Sequence, residues 1–179
     1  MDNRSLFLIG DLPGFTPQIG RLVSMLNYVR HTTFSTIEGL TVRELDYLCN
    51  PEDNSIGSLL LHIAATELSY QSVTFHNRAL SSEEKRAWEA AFTLGDKASI
   101  EIAGQDLNYY LSRLTQVRTI TLEQLALRDD KWLAQQTAFG NDYQVNNYFK
   151  WFHVLSHELN HRGQIRMLKR QAMNRGGGI

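Results

Sequence analysis

Four stretches of this chain place apolar residues three or four apart over many turns, so each must bury one face of a helix. The first begins near Pro17, a favourable early-helix residue, and aligns Ile19, Leu22, Val23, Leu26 and Val29. Ser55 is positioned to cap the second, which carries Ile56, Leu59, Leu60 and Ile63, with His62 on its flank, and fades near His76. The third has the cleanest pattern: Leu107, Leu111, Leu114, Val117 or Arg118, Thr121 and Leu125. The fourth runs from about Asn146 to Ala172. Four such helices predict an all-α four-helix bundle, whose facing side chains can build a site in its interior.

The segments between the helices are less regular. "STIEGLTVRELDYLCNPEDN" joins the first two, with turn chemistry at Asn50-Pro51 and Asp53-Asn54. A short extra helix is expected from Ser82 to about Phe92. Asp96 to Gly104 reads two ways, because "ASIEIAG" alternates like a short strand. "WLAQQTAFGNDYQVN" suggests a small hairpin or an irregular loop before the last helix. The excursion between the second and third helices is long enough to cross the bundle, so a simple up-down-up-down order is not assured. Residues 1–172 are read as one domain and 173–179 as a flexible Gly-rich tail.

Composition narrows the function classes. With 18 Lys and Arg against 19 Asp and Glu, the chain has no electrostatic reason to bind a phosphate backbone, so nucleic acid is not expected as a partner. No run approaches the length of a membrane span. The single cysteine, Cys49, forms no internal disulfide and suits a reducing compartment, so a cytoplasmic location is expected.

The richest chemistry lies in "HVLSHELNHRGQI", His153 to Ile165. Helical residues four apart lie about 40° apart around the axis and ~6 Å along it, so His157 and His161 can converge on one ion. His153 shares the stripe but sits ~12 Å along the axis from His161, too far for all three to ligate one ion from a straight helix. A third ligand must come from elsewhere, and His62 is the best candidate. His157-Glu158-Leu159-Asn160-His161 formally matches the zinc-protease motif H-E-x-x-H, yet no His, Asp or Glu follows His161 to complete such a site. A zinc metalloprotease is therefore the weaker reading. A carboxylate-bridged di-iron bundle needs a second E-x-x-H, and the chain has none.

"LTVRELDYLCNPED", "NSIGSLLLHIAATE" and "HVLSHELNHRGQI" together resemble the DinB/YfiT superfamily over nearly the whole chain, from about residue 20 to 170. The resemblance implies a four-helix bundle of unusual connectivity, frequently dimeric, with a divalent metal held by three histidines. These map onto His62, His157 and His161. Zinc or nickel is the implied metal, with manganese or iron as further candidates. Members with known activity include S-transferases and isomerases that use low-molecular-weight thiols, and a hydrolase is a related reading. The alternative from another class is a non-catalytic metal-binding or stress-response bundle protein.

Other residues near the motif carry expectations of their own. Glu158 is read either as a general base beside the site or as a solvent-facing residue. His153, Gln164 and Arg162 are candidates for lining the substrate pocket or supporting the ligands, with helix pairing the blander role for Arg162. Gly163 is expected to permit close helix approach. Tyr148, Phe152, Leu155, Leu159 and Gly163 form a second stripe on the last helix. It is expected to pack against a partner subunit, giving a homodimer, or against the irregular segment before it.

Overall fold

A computed structural model describes residues 5–139 and 143–176. Four long helices dominate: α1 (Pro17–Ile37), α3 (Ile56–Phe75), α7 (Leu107–Ala126) and α9 (Asn147–Gly176). Shorter helices fill the connections: α2 (Val42–Leu45), α4 (Ser82–Ala87), α5 (Glu89–Thr93), α6 (Gly95–Glu101) and α8 (Asp130–Ala134). An antiparallel hairpin of β1 (Gln136–Phe139) and β2 (Tyr143–Asn146) precedes α9, pairing Thr137 with Val145. Helix α9 continues past Ala172 to Gly176, and 177–179 lie outside the described residues.

Local chemistry sets the helix ends. Ser55 accepts from the Ser58 amide, and Asp106 from the Tyr109 amide. Thr41 and Ser81 each form a full capping box with the glutamate three residues on. The start of α1 is capped from a distance, since Asp130 Oδ1 accepts from the Gln18 and Ile19 amides and from Thr16 Oγ1.

Two apolar clusters show how the long helices run. One contains Ile19, Leu22, Val23, Leu26 and Val29 of α1, Leu125 of α7, and Trp151, Val154 and Leu155 of α9. The other contains Ile37, the first half of α3, Tyr110, Leu114 and Val117 of α7, and Ile165 of α9. Consequently α1 and α9 pass from the first cluster to the second, whereas α3 and α7 run the opposite way. The pairs α1/α9 and α3/α7 pack as parallel neighbours, and α3 packs antiparallel on α9. The excursion of α4 to α6 carries the chain back along the bundle, as its length allowed. Asp46 and Asn54 of the connector accept from the Gly104 and Gly95 amides and fasten it there.

Between the clusters lies a buried polar layer with one ion from each long helix. Glu67 of α3 accepts from Arg30 of α1 (2.8 Å) and Arg118 of α7 (2.7 Å). Glu158 of α9 accepts from the same two arginines, at 2.9 and 3.1 Å. The remaining polar atoms are also satisfied: Arg30 donates to Leu114 O, Arg118 to Leu26 O, and Thr121 to Glu67. Burial would raise the Glu67 pKa, but Arg118 and Arg30 hold it down at about 2. Burial also opposes the Arg30 charge, and the two carboxylates more than offset this.

One open reading is resolved and two local expectations are corrected. The alternating "ASIEIAG" is helical through Glu101, with Ile102 as the cap; Ala98 and Ile102, four apart, are the buried pair while Ile100 is 78% exposed. The expected 82–92 helix is broken at Trp88 into α4 and α5. Gly163 does not serve close packing, since an added Cβ would meet nothing within 4 Å. The close approach occurs instead at Gly57, where a Cβ would collide with the Tyr110 phenol. Gly57→Ala should therefore cost ~1–3 kcal/mol in urea unfolding. Gly163→Ala should stabilise by up to ~1 kcal/mol.

Arg118→Met leaves two buried carboxylates with one arginine and should cost about 3–5 kcal/mol in the same measurement. The folded protein keeps Glu67 ionised down to about 2, whereas the unfolded chain protonates it near 4.5. Its contribution is thus complete above pH 4.5 and is lost as the pH falls toward 2. Thermal melts between pH 7 and pH 2 should show that acid limb, and Glu67→Gln should flatten it while lowering stability at neutral pH.

Candidate metal site

His62 lies on the α3 face turned to α9, five residues before Glu67; His157 and His161 lie one turn apart on the opposing face of α9. The buried ion layer sets the register of these two helices, and the three imidazoles meet. His157 Nε2 lies 3.0 Å from His62 Nε2 and 3.1 Å from His161 Nε2. All three ligand atoms fall within 4.8 Å of one another, and each ring is partly buried.

The outer nitrogens explain why the inner ones face each other. His62 Nδ1 lies 2.8 Å from Ala91 O, which can only accept, so the ring proton sits on Nδ1 and Nε2 presents a lone pair. Gln164 Oε1, 2.9 Å from His161 Nδ1, orders that ring in the same way. His157 can satisfy one of its two neighbours with a proton, which leaves at least one lone pair aimed at another. Desolvation, followed by its three neighbouring histidines, pushes the His157 pKa down to about 3, and desolvation also lowers that of His62. Those two rings are neutral at physiological pH, as metal ligands must be. Nitrogens bound to one tetrahedral zinc lie roughly 3.4 Å apart, so the donor set fits a divalent ion without large movement. Among the described residues no fourth His, Cys, Asp or Glu joins the cluster.

Glu158 corrects both of its expectations. It is 1% exposed, so it does not face solvent, and its oxygens are taken by Arg30 and Arg118, so it is no free general base. Arg162 also departs from a substrate role: it donates to Thr32 Oγ1 on α1 and pairs the two helices. His153 stands outside the cluster, its ring 5.5 Å from Tyr70 and 5.9 Å from His157. Thr66 Oγ1, 3.5 Å from His157 Nε2, is a neighbour that sequence reasoning missed, although it lies four residues after His62. A cavity of about 320 Å³ adjoins Gln164 and is lined also by Cys49, Asp53, Asn54 and Gln171. The second stripe on α9 divides: Leu155 is buried and Leu159 packs on the core, while Phe152 stays 58% exposed.

The model of the mycothiol-S-transferase family matches residues 21–174. The chain belongs to this family. No curated protein sequence matches it. Among solved structures, it resembles a DinB-like protein from Bacillus cereus ATCC 10987, with a TM-score of 0.66 and 20% identity over 85% of this chain and 91% of that one. It also resembles a conserved protein from Enterococcus faecalis, with a TM-score of 0.67 and 14% identity over 86% and 95%. Family and fold together place the chain in the DinB/YfiT superfamily. No described helix is long and apolar enough to cross a membrane.

Gln164 orients a ring nitrogen through its partner, an arrangement whose loss typically weakens metal affinity 10–100-fold. Gln164→Leu should lower zinc affinity by about that factor in competition titration with a chelating dye, while the helical circular dichroism is unchanged.

Proposed function

We propose that the protein is a divalent-metal-dependent S-transferase that joins a low-molecular-weight thiol to an electrophilic substrate. Convergence of three imidazole nitrogens, with lone pairs aimed inward and no fourth ligand among the described residues, carries the reading; family membership supports the thiol. His62, His157 and His161 would hold the ion, zinc or nickel first among candidates. A bound ion of this kind lowers the pKa of a coordinated thiol so that thiolate is present near neutral pH.

The chain's own residues supply the rest. Ala91 O and Gln164 hold the His62 and His161 rings in place. His153, the half-buried imidazole one turn before His157, accepts the thiol proton in this reading. The sulfur then forms a bond to the electrophilic carbon as the leaving group departs with its electron pair. Glu158 takes no part, being committed to the arginines. A structural metal in a non-catalytic bundle would instead need a closed coordination sphere, and the described residues offer no fourth ligand.

The unpaired Cys49 suits a cytoplasmic enzyme, and the exposed Phe152 is the residue through which a homodimer would form. Light scattering on wild type and Phe152→Ser tests that assembly.

Elemental analysis of protein purified without a nickel column should find about one divalent ion per chain. His62→Ala, His157→Ala and His161→Ala should each lose it, while His153→Ala keeps it and loses thiol-conjugation activity. Full metal content in His62→Ala would overturn the ligand set, and turnover without added thiol would indicate hydrolysis instead.

A further inference from the structure

Lys150 is 1% exposed, yet no carboxylate among the described residues pairs with it. Its ammonium donates to Thr137 Oγ1 on β1, and burial pulls its pKa down. A buried cation without a counter-ion is costly, and an arriving anion would offset that cost. Thr137 also lines a cavity of about 400 Å³ between the end of α3, α8, the hairpin and the start of α9. Thr74, Asn77, Arg128, Gln135 and Asn147 share its wall, and no acidic residue does. Because Thr137 accepts from Lys150, its own hydroxyl proton is free to point into the cavity as a polarised donor. Arg128 supplies a second cation.

This cavity lies at one end of the packed α3/α9 pair that carries the histidines. Lys150 is two turns before His157 on α9, and Asn147 almost three, which places the cavity about 10–15 Å from the cluster along the helix axis. His153 and Tyr70 occupy the interval.

We propose that this cavity receives the anionic end of the substrate, a carboxylate held by Thr137 and Arg128, with the Lys150 ammonium behind Thr137 as its buried counter-charge, while the reacting atom lies at the three histidines. The inference rests on the S-transferase reading for its reacting end only.

The test uses ω-mercaptodecanoate and its primary amide, titrated by calorimetry into zinc-loaded protein. The acid should bind about tenfold more tightly than the amide, the scale of one charge-assisted hydrogen bond. Lys150→Met and Arg128→Met should each remove most of that preference. Their melting temperatures and zinc content show that fold and histidine site survive. Equal affinity for acid and amide in wild type, or a preference that survives in Lys150→Met, overturns the proposal.

Decanoate against decanamide, without thiol or metal, separates the two readings. A Lys150-dependent preference there, in a protein that takes up no zinc, keeps the anion cavity and removes the S-transferase reading. Zinc binding with no acid preference does the reverse. Inorganic phosphate competing equally well with both probes would show a free-ion site and overturn the assignment to a substrate end.

Discussion

The ion layer formed by Arg30, Glu67, Arg118 and Glu158 decides how the four long helices meet. Each carboxylate takes both arginines and each arginine takes both carboxylates, so the loss of any one of the four helices leaves the layer with a net charge. A buried ion left without its partner is strongly penalised, and a slide of one helix by a single turn, about 5.4 Å, would strand one. Apolar faces alone tolerate such slides far better, because burial is non-directional. The same register brings the histidines together. His62 lies five residues before Glu67, and His157 immediately precedes Glu158, so locking the carboxylates locks the ligands.

Much of this was legible in the sequence. Long runs of apolar residues at helical spacing located α1, α3, α7 and α9, and a four-residue interval suggested that His157 and His161 share a target. Glu158 was misread because its neighbours in the chain carry no sign of its partners. Arg30, Glu67 and Arg118 each look like a single charge on an amphipathic helix, and only the assembled register makes them one unit. Gly163 was misread for a related reason: glycine in a helix signals that a side chain is dispensable, without saying whether a neighbour or open space accounts for it. The α6 segment is too short for its period to decide, and the i, i+4 burial of Ala98 and Ile102 emerges only once α5 and α6 fold back on α3.

The three histidines are held unequally. His62 and His161 are oriented through their outer nitrogens by Ala91 O and Gln164, whereas His157 is positioned by the helix that carries it and by its neighbour's ion pairs. Rigidity at His157 is thus inherited from the core. The excursion that crosses the bundle has a local role as well, since Ala91 O on α5 is what fixes the tautomer of His62.

The order of the helices has a consequence for biosynthesis. Of the described helices α9 leaves the ribosome last, and it contributes two of the three converging imidazoles and the fourth member of the ion layer. Until it emerges, Arg30, Glu67 and Arg118 carry an uncompensated positive charge at what will become the centre, and α1 lacks its parallel neighbour. The first cluster and the ion layer therefore cannot close before α9 is made, whereas the second cluster needs only Ile165 from it. The ion layer and the ligand set are gained together, once α9 has been synthesised.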